Sequence, residues 1–458
     1  MEKRLTWIKK ISCLLWLACC LTLILPRATW AKELDATQPE RGPEDEALRM
    51  LSDYLTKAAL SNPELEAAFH RWKAALEKIP QVRALPDPRF TFAYFIESVE
   101  TRVGPQRARF ALAQTFPWFG TLDLREDMAT REANALKAQY DHIKLRVFYE
   151  VKNVFYEYAY LAQAVQITSS NVELLKYLES IARARYSAGV IPYGDVIKTQ
   201  VELGRIEDHL KTLLDLRIPV MAKLAAALNM PIDSEFPWPA AVPVMLSTVT
   251  DEELFKLAGE YNPQIKRLEY LEGMERAGIE LAQRDYYPNF TMGVETILTD
   301  PALNPMTPDS GKDPVIASVS INIPFWWEKR RAAVREREAK HSAVIRDNVA
   351  FKQNLLSSMH LALYKYRDAQ RKIDLYRNTL IPKADEALAV TLEAFQAGTR
   401  SSLDLIDAEK TLLEFDLAYI RALTDQAQRL AELEYLLGNE IPCEIHCVSM
   451  PKHTIRKD

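Results

Sequence analysis

Glycine is rare in this chain, 13 of 458 residues, so loops built for close backbone approach to a substrate are scarce. No phosphate-cradling glycine loop and no Gly-x-Ser-x-Gly elbow occurs. The seven histidines, His70, His142, His209, His341, His360, His446 and His453, are scattered and form no His-x-x-x-His or His-Glu pair. These absences argue against an enzyme and point to no cofactor and no catalytic metal. Charge of one sign is also missing. The formal net charge is -5 and basic and acidic residues interleave, which leaves no electrostatic footprint for nucleic acid. Beyond the N-terminus no apolar run is long enough for a membrane helix, so a mature membrane protein would have to span as a closed β-barrel. What remains is 48% hydrophobic and 26% charged, enough apolar material for a folded core.

The N-terminus carries an export signal. Lys3, Arg4, Lys9 and Lys10 precede an apolar run over 11–25, and Thr29 and Ala31 place small residues where signal peptidase needs them. Residues 1–31 are therefore expected to be a signal peptide cut after Ala31. A membrane anchor is the alternative, although the run falls short of the roughly 20 residues a span requires. Lipidation is a third reading, because Leu17, Ala18, Cys19 and Cys20 faintly resemble a lipobox. Of the five cysteines only Cys443 and Cys447 lie outside this segment. With His446 they are too few and too tightly spaced for a standard zinc site, which leaves a disulfide or two unrelated thiols.

The chain is written twice. Asn62-Pro63 opens a segment ending in Pro88-Arg89-Phe90, and Asn262-Pro263 opens one ending in Pro288-Asn289-Phe290. Phe116-Pro117-Trp118-Phe119 in the first half answers Ile323-Pro324-Phe325-Trp326 in the second. Tyr186-Ser187-Ala188-Gly189 matches Phe395-Gln396-Ala397-Gly398, and each is followed at equal distance by an aspartate, Asp195 or Asp404, and two aliphatic residues. Leu228-Asn229 and Gly438-Asn439 close the halves. Residues 32–231 and 250–442 thus read as two repeats, each a short helix, two strands, a very long helix, a tight turn and a return helix. Residues 232–249, with Pro237, Pro239 and Pro243, read as an extended linker loop, and 443–458 as a tail.

The long segments are the unusual feature. Neither glycine nor proline interrupts 121–188, roughly 68 residues that as a helix would make a rod of about 100 Å. Helices are expected over about 120–186 and 195–229, then 327–395 and 404–437. Pro382 should remove a hydrogen bond and kink or offset the third, and Pro219 should do the same in the second. Val147, Val151, Val154, Tyr158, Leu161 and Val165 recur at three- and four-residue steps, which predicts coiled-coil packing.

Strands are expected over about 88–97, 107–116, 288–298 and 314–323, from a period of two in residues such as Phe90, Phe92 and Tyr94 or Val315, Val319 and Ile321. Their length suits a tilted membrane strand. Phe116, Trp118 and Phe119, and Phe325, Trp326 and Trp327, gather where the second strand of each pair ends, as in an interfacial girdle in contact with outer-membrane lipid. Arg125, Lys329, Arg330 and Arg331 follow in water or headgroups, and the 299–313 loop has the Pro, Asp and Asn of an extracellular loop. Four strands cannot close alone, since the smallest membrane barrels have about eight. Two chains would supply about eight and fill the lumen, and three would supply about twelve and leave it open. The fold class expected is mainly α with a small β part, assembled as a trimeric α/β barrel duct.

On these landmarks, from about Leu48 to Asn439, the chain resembles the TolC family of outer-membrane efflux proteins. The resemblance implies a homotrimer with a twelve-stranded barrel continued by a helical periplasmic tunnel, opened when a periplasmic adaptor and an inner-membrane efflux pump dock. It implies adaptor-contact tips at Tyr186, Gly189, Val190, Phe395, Gly398 and Thr399. It also implies a periplasmic gate of Asp404, Asp407 and Arg400, with Asp195 of the other hairpin as a latch to Arg400. The family's best-known pattern has a tyrosine where this chain has Phe395, which lacks the hydroxyl; Tyr193 is the other hydroxyl nearby. The other reading of Asp404 and Asp407 is that they serve the helix dipole or pair on a solvated face. The alternative for the whole chain is a periplasmic coiled-coil adaptor or spacer, which would need no aromatic-flanked strands.

Overall fold

Alanine, leucine, glutamate, lysine and arginine without a breaker favour continuous helix, and the computed structural model holds one, α3, Thr121–Ser187, 67 residues long. The structure describes residues 43–242, 244–247, 249–304 and 306–446. The expected signal peptide, with Cys13, Cys19 and Cys20, lies outside the described residues, as does Cys447 with the pairing expected of it.

In chain order, α1 (Pro43–Ser61) and α2 (Pro63–Arg83) precede β1 (Arg89–Tyr94), β2 (Glu100–Thr101) and β3 (Gly104–Phe116). After α3 come α4 (Tyr193–Ala227), β4 (Val244–Ser247), α5 (Asp251–Tyr261), α6 (Pro263–Arg284), β5 (Phe290–Thr299) and β6 (Val315–Ile321). The chain continues through α7 (Trp327–Leu375), α8 (Ile381–Gln396), α9 (Ser402–Leu437) and β7 (Cys443–His446). Helix α3 is the spine, packed along α2, α4, α6 and α9.

Two prolines act differently from each other. Before Pro382 the helix loosens into a π-helical turn, Tyr376–Leu380, and α8 restarts with Pro382 in its first turn. The wider turn absorbs the missing N–H and the ring, so the single helix expected over 327–395 is three pieces. Pro219 lies inside α4, which stays helical to Ala227 and is not broken there.

The main core lies between the long helices, where Phe155, Tyr156, Tyr158, Leu161, Leu224, Tyr419 and Ile420 are buried. It also receives the linker over 232–249, of which 232–242 form no helix or strand while 244–247 form β4. Phe236 and Val242 are buried in that core, and the Tyr158 hydroxyl donates to the Phe236 carbonyl at 2.9 Å. Trp238 stacks on the Tyr158 ring at 4.8 Å, with the Arg217 guanidinium 4.4 Å from the Trp238 ring centre. Beyond it β4 pairs antiparallel with β7, Val244 opposite His446 and Ser247 opposite Cys443. Proline density signalled an irregular path; the partner strand at the other end of the chain left no local trace.

The main sheet is antiparallel in the order β1-β3-β5-β6, with β2 paired to β3. The edge strands β1 and β6 are shorter than the period suggested, six and seven residues long. Register puts Phe90 opposite Leu112 and Phe92 opposite Phe110, Leu112 opposite Val294, and Met292 opposite Val319. These side chains share one face. The other face carries Thr91, Arg109, Thr115, Thr291, Glu295, Ser318 and Ser320. There Arg109 pairs with Glu295, and the Thr115 and Thr291 hydroxyls are 2.9 Å apart. At the helix-side end of the sheet Trp118 stacks on Tyr287 at 4.8 Å and on Phe290 at 5.5 Å. Among the described residues no helix is long and apolar enough to cross a membrane.

Candidate gate at the hairpin tips

Both long hairpins turn by the same local chemistry. Helix α3 ends as Gly189, at φ +72, lets the chain reverse. The Gly189 amide donates to the Tyr186 carbonyl at 2.9 Å and the Val190 amide to the Arg185 carbonyl at 2.9 Å. At the α8–α9 turn Gly398 has φ +79, and the Gly398 and Thr399 amides reach the Phe395 carbonyl at 3.0 Å and the Ala394 carbonyl at 2.9 Å. Each pattern satisfies helix-end carbonyls that would otherwise lack partners.

Of the expected tip residues, Tyr186, Gly189, Val190, Gly398 and Thr399 are exposed. The Tyr186 ring lies 5.1 Å from that of Tyr193, also exposed. Phe395 departs from expectation. Its side chain is 2% exposed and belongs to a cluster with Val172, Leu175, Leu178, Ile206, Leu405 and Leu413. It is a floor beneath the turn and offers no outer surface, because an apolar ring gains more from that cluster than from water.

Asp404 and Asp407 stand on the exposed side of the first turns of α9. Ser401 caps this helix: its hydroxyl accepts from the Asp404 amide at 3.3 Å, and an Asp404 carboxylate oxygen accepts from the Ser401 amide at 3.1 Å. The Ser401 amide, then its hydroxyl, then the Arg400 charge hold the Asp404 carboxyl below the usual carboxylate range. Arg400 reaches Asp404 at 3.9 Å. The latch expected between Arg400 and Asp195 is not formed within the chain: among the described residues no ion pair joins them. From the turn just before the N-cap, Arg400 faces the carboxylate four residues ahead, which the capping box already fixes. Asp195 sits half-buried in the first turn of α4, where its backbone carbonyl accepts from the Thr199 hydroxyl at 3.0 Å.

Two functional candidates were missed. Arg185, one residue before the tip aromatic, donates to the Phe395 carbonyl at 2.7 Å and the Gln396 carbonyl at 2.9 Å. Only its place in the last turn of a helix could have flagged it. Glu409 is 2% exposed, with Oε1 unpartnered. Burial, and then the Glu202 charge, push its carboxyl up to about 8, while an Asn171 hydrogen bond pulls it the other way. Its sequence signal was the apolar spacing of Leu405 and Leu413 on either side.

A family model described as "Outer membrane efflux protein" matches residues 54–229 and 254–439. The chain is 20% identical over 393 residues to the cobalt-zinc-cadmium resistance protein CzcC of Cupriavidus metallidurans, covering 84% of this chain and 88% of that one. Its fold is similar to that of the outer membrane protein VceC from Vibrio cholerae, with a TM-score of 0.70 at 18% identity over 87% of this chain and 99% of that one. It is also similar to the open state of the Neisseria gonorrhoeae MtrE outer membrane channel, with a TM-score of 0.68 at 16% identity over 85% and 89% of the two chains. The family match removes the periplasmic adaptor or spacer reading, and the family is one of channels. The chain belongs to the outer membrane efflux protein family and is an efflux channel of the outer membrane.

Proposed function

We propose that three copies of the chain form a passive duct. A periplasmic adaptor and an inner-membrane pump open it at the hairpin tips, and cargo choice rests with the pump. The observation that carries this is the main sheet, apolar on one face, polar on the other and with β1 and β6 each paired on one side only. A lipid-exposed strand edge leaves backbone groups without partners, so joining β6 of one copy to β1 of the next closes the barrel. Three copies supply the twelve strands that leave a polar lumen. Tyr186, Val190 and Thr399, exposed around Gly189 and Gly398, form the surface an adaptor grips. Asp404 and Asp407, repeated by threefold symmetry, ring the inner aperture with carboxylates that attract cations and hold divalent ones, while Arg400 and Asp195 border the ring.

Single-channel recording in planar bilayers tests both parts. The wild type is compared with Asp404→Ala combined with Asp407→Ala, with and without divalent cation. Small, cation-selective conductance that rises and loses divalent block in the double variant supports duct and gate. Unchanged behaviour removes the acidic gate, and no conductance from well-folded protein overturns the duct.

A further inference from the structure

Arg185 is the last basic residue of α3, yet it spends its hydrogen bonds on the other hairpin. Its Nη1 donates to the Phe395 carbonyl and its Nη2 to the Gln396 carbonyl. The guanidinium carbon lies 4.4 Å from the centre of the Phe395 ring. Both carbonyls belong to the final turn of α8, where the helix dipole is negative; the Phe395 carbonyl also accepts from the Gly398 amide at 3.0 Å, so Arg185 uses its second lone pair. A planar cation with two parallel donors suits that end, and an ammonium would satisfy one carbonyl at a time. Among the described residues no carboxylate lies within ion-pair distance of Arg185. Nearby Arg183 contrasts with it, being held to Glu179 at 2.6 Å.

The contact is one-sided. In the repeat alignment the position equivalent to Arg185 in the second half is Ala394, which has no group to return the bond. The first hairpin therefore holds the second, and the buried Phe395 ring adds a cation–π contact to the Arg185 guanidinium.

We propose that Arg185 is the positioning residue that latches the α8–α9 tip to the α3–α4 tip, and that the duct opens only when this contact is broken. The inference rests on the duct reading above. Asp404 and Asp407 then set the charge at the opening, and Arg185 sets whether the hairpins are together.

Hydrogen–deuterium exchange of the full mature protein, read by mass spectrometry, tests it with Arg185→Ala, Arg185→Lys and Phe395→Leu. Arg185→Ala should speed exchange in residues 391–400 about tenfold, with the β-strands and residues 143–165 unchanged. Arg185→Lys should fall between, and Phe395→Leu, which keeps an apolar side chain in the cluster, should speed the same segment less than Arg185→Ala. Planar-bilayer conductance of Arg185→Ala should exceed that of the wild type. Unchanged exchange at 391–400, uniform acceleration along the hairpins, or faster exchange without a conductance gain would each overturn the latch. Absence of conductance from the wild type and from the double aspartate variant alike would instead overturn the duct.

Discussion

Asn62 and Asn262 perform the same two tasks in the two halves of the chain. Each side-chain oxygen accepts the first-turn amides of the helix it opens, Glu64 and Leu65 at 3.0 and 3.2 Å, Gln264 and Ile265 at 2.9 and 3.3 Å. Each amide nitrogen then donates to the end of a return helix, Asn62 to the Ala227 carbonyl at 3.4 Å and Asn262 to the Leu436 carbonyl at 2.8 Å. A proline follows because the first helical position needs no donor. The asparagine is thus a cap for one helix and a clasp on another, which accounts for both Asn-Pro landmarks.

Replacing Asn262 with alanine should cost about 2 kcal/mol, since it removes a cap and leaves a half-buried carbonyl without this donor. Asn62→Ala should cost about 1 kcal/mol, because Asn62 is half-buried and its clasp bond is longer. Helix loss on heating, followed by circular dichroism, should show the larger fall in Tm for Asn262→Ala. Equal falls would mean that the clasp contributes nothing beyond the cap.

Gly438 lies against the same joint. It has φ +89, and a Cβ built there would stand 2.8 Å from Pro263 Cδ and 2.9 Å from both Asn262 Cα and the Tyr261 carbonyl oxygen. Gly438→Ala should lower stability by about 2–4 kcal/mol through backbone strain and overpacking. Gly398→Ala, with no atom within 4 Å of the built Cβ, should cost only the left-handed backbone, about 1 kcal/mol. Chemical denaturation of the two variants checks the order.

Much of the architecture was legible because it is periodic or local. The breaker-free run that became α3, the alternation of Phe90 and Phe92, and the glycine turns at 189 and 398 are read from neighbours in sequence. What was not legible depends on residues that meet only after folding. Within one chain Arg400 lies nearest Asp404, which the capping box holds in place, and the sequence spacing to Asp195 carries no sign of that preference. Arg185 was missed because its partners are backbone carbonyls of another helix, to which side-chain patterns are blind. Phe395 was expected at the adaptor-contact tip from the family resemblance, although its burial is decided by Val172, Leu175 and Ile206 from the opposite hairpin.

The seam between α3 and α9 is held by polar contacts that can be tested in pairs. Lys152 Nζ lies 2.6 Å from a Glu434 oxygen, with side chains 17% and 15% exposed. Lys152→Met alone should destabilise by about 2–4 kcal/mol, because it strands a largely buried carboxylate. Adding Glu434→Leu should recover most of that loss, since two apolar side chains of similar size leave no orphan charge. A thermal-unfolding double-mutant cycle measures the coupling, and additive losses would show that the pair does not act as one.

Glu409 predicts a pH dependence of the hairpin packing. Around it α4 presents Glu202, which is itself paired with Arg205 at 2.5 Å, and Asn171 of α3 supplies a hydrogen bond. The surrounding cluster, with Leu388 and Leu392 of α8, is apolar. The folded carboxyl titrates at about 8, well above its ordinary value of 4.5, so the packed state favours the neutral acid. Stability from this group is therefore full below the ordinary value, falls as pH rises between it and about 8, and is level above that. The loss across the window should be on the order of a few kcal/mol. Glu409→Gln keeps the shape and cannot ionise, so its unfolding midpoint should be flatter from pH 5 to pH 8.5 and should exceed that of the wild type at the alkaline end. Parallel pH profiles for the two proteins would show that the carboxylate is accommodated at no cost despite its burial.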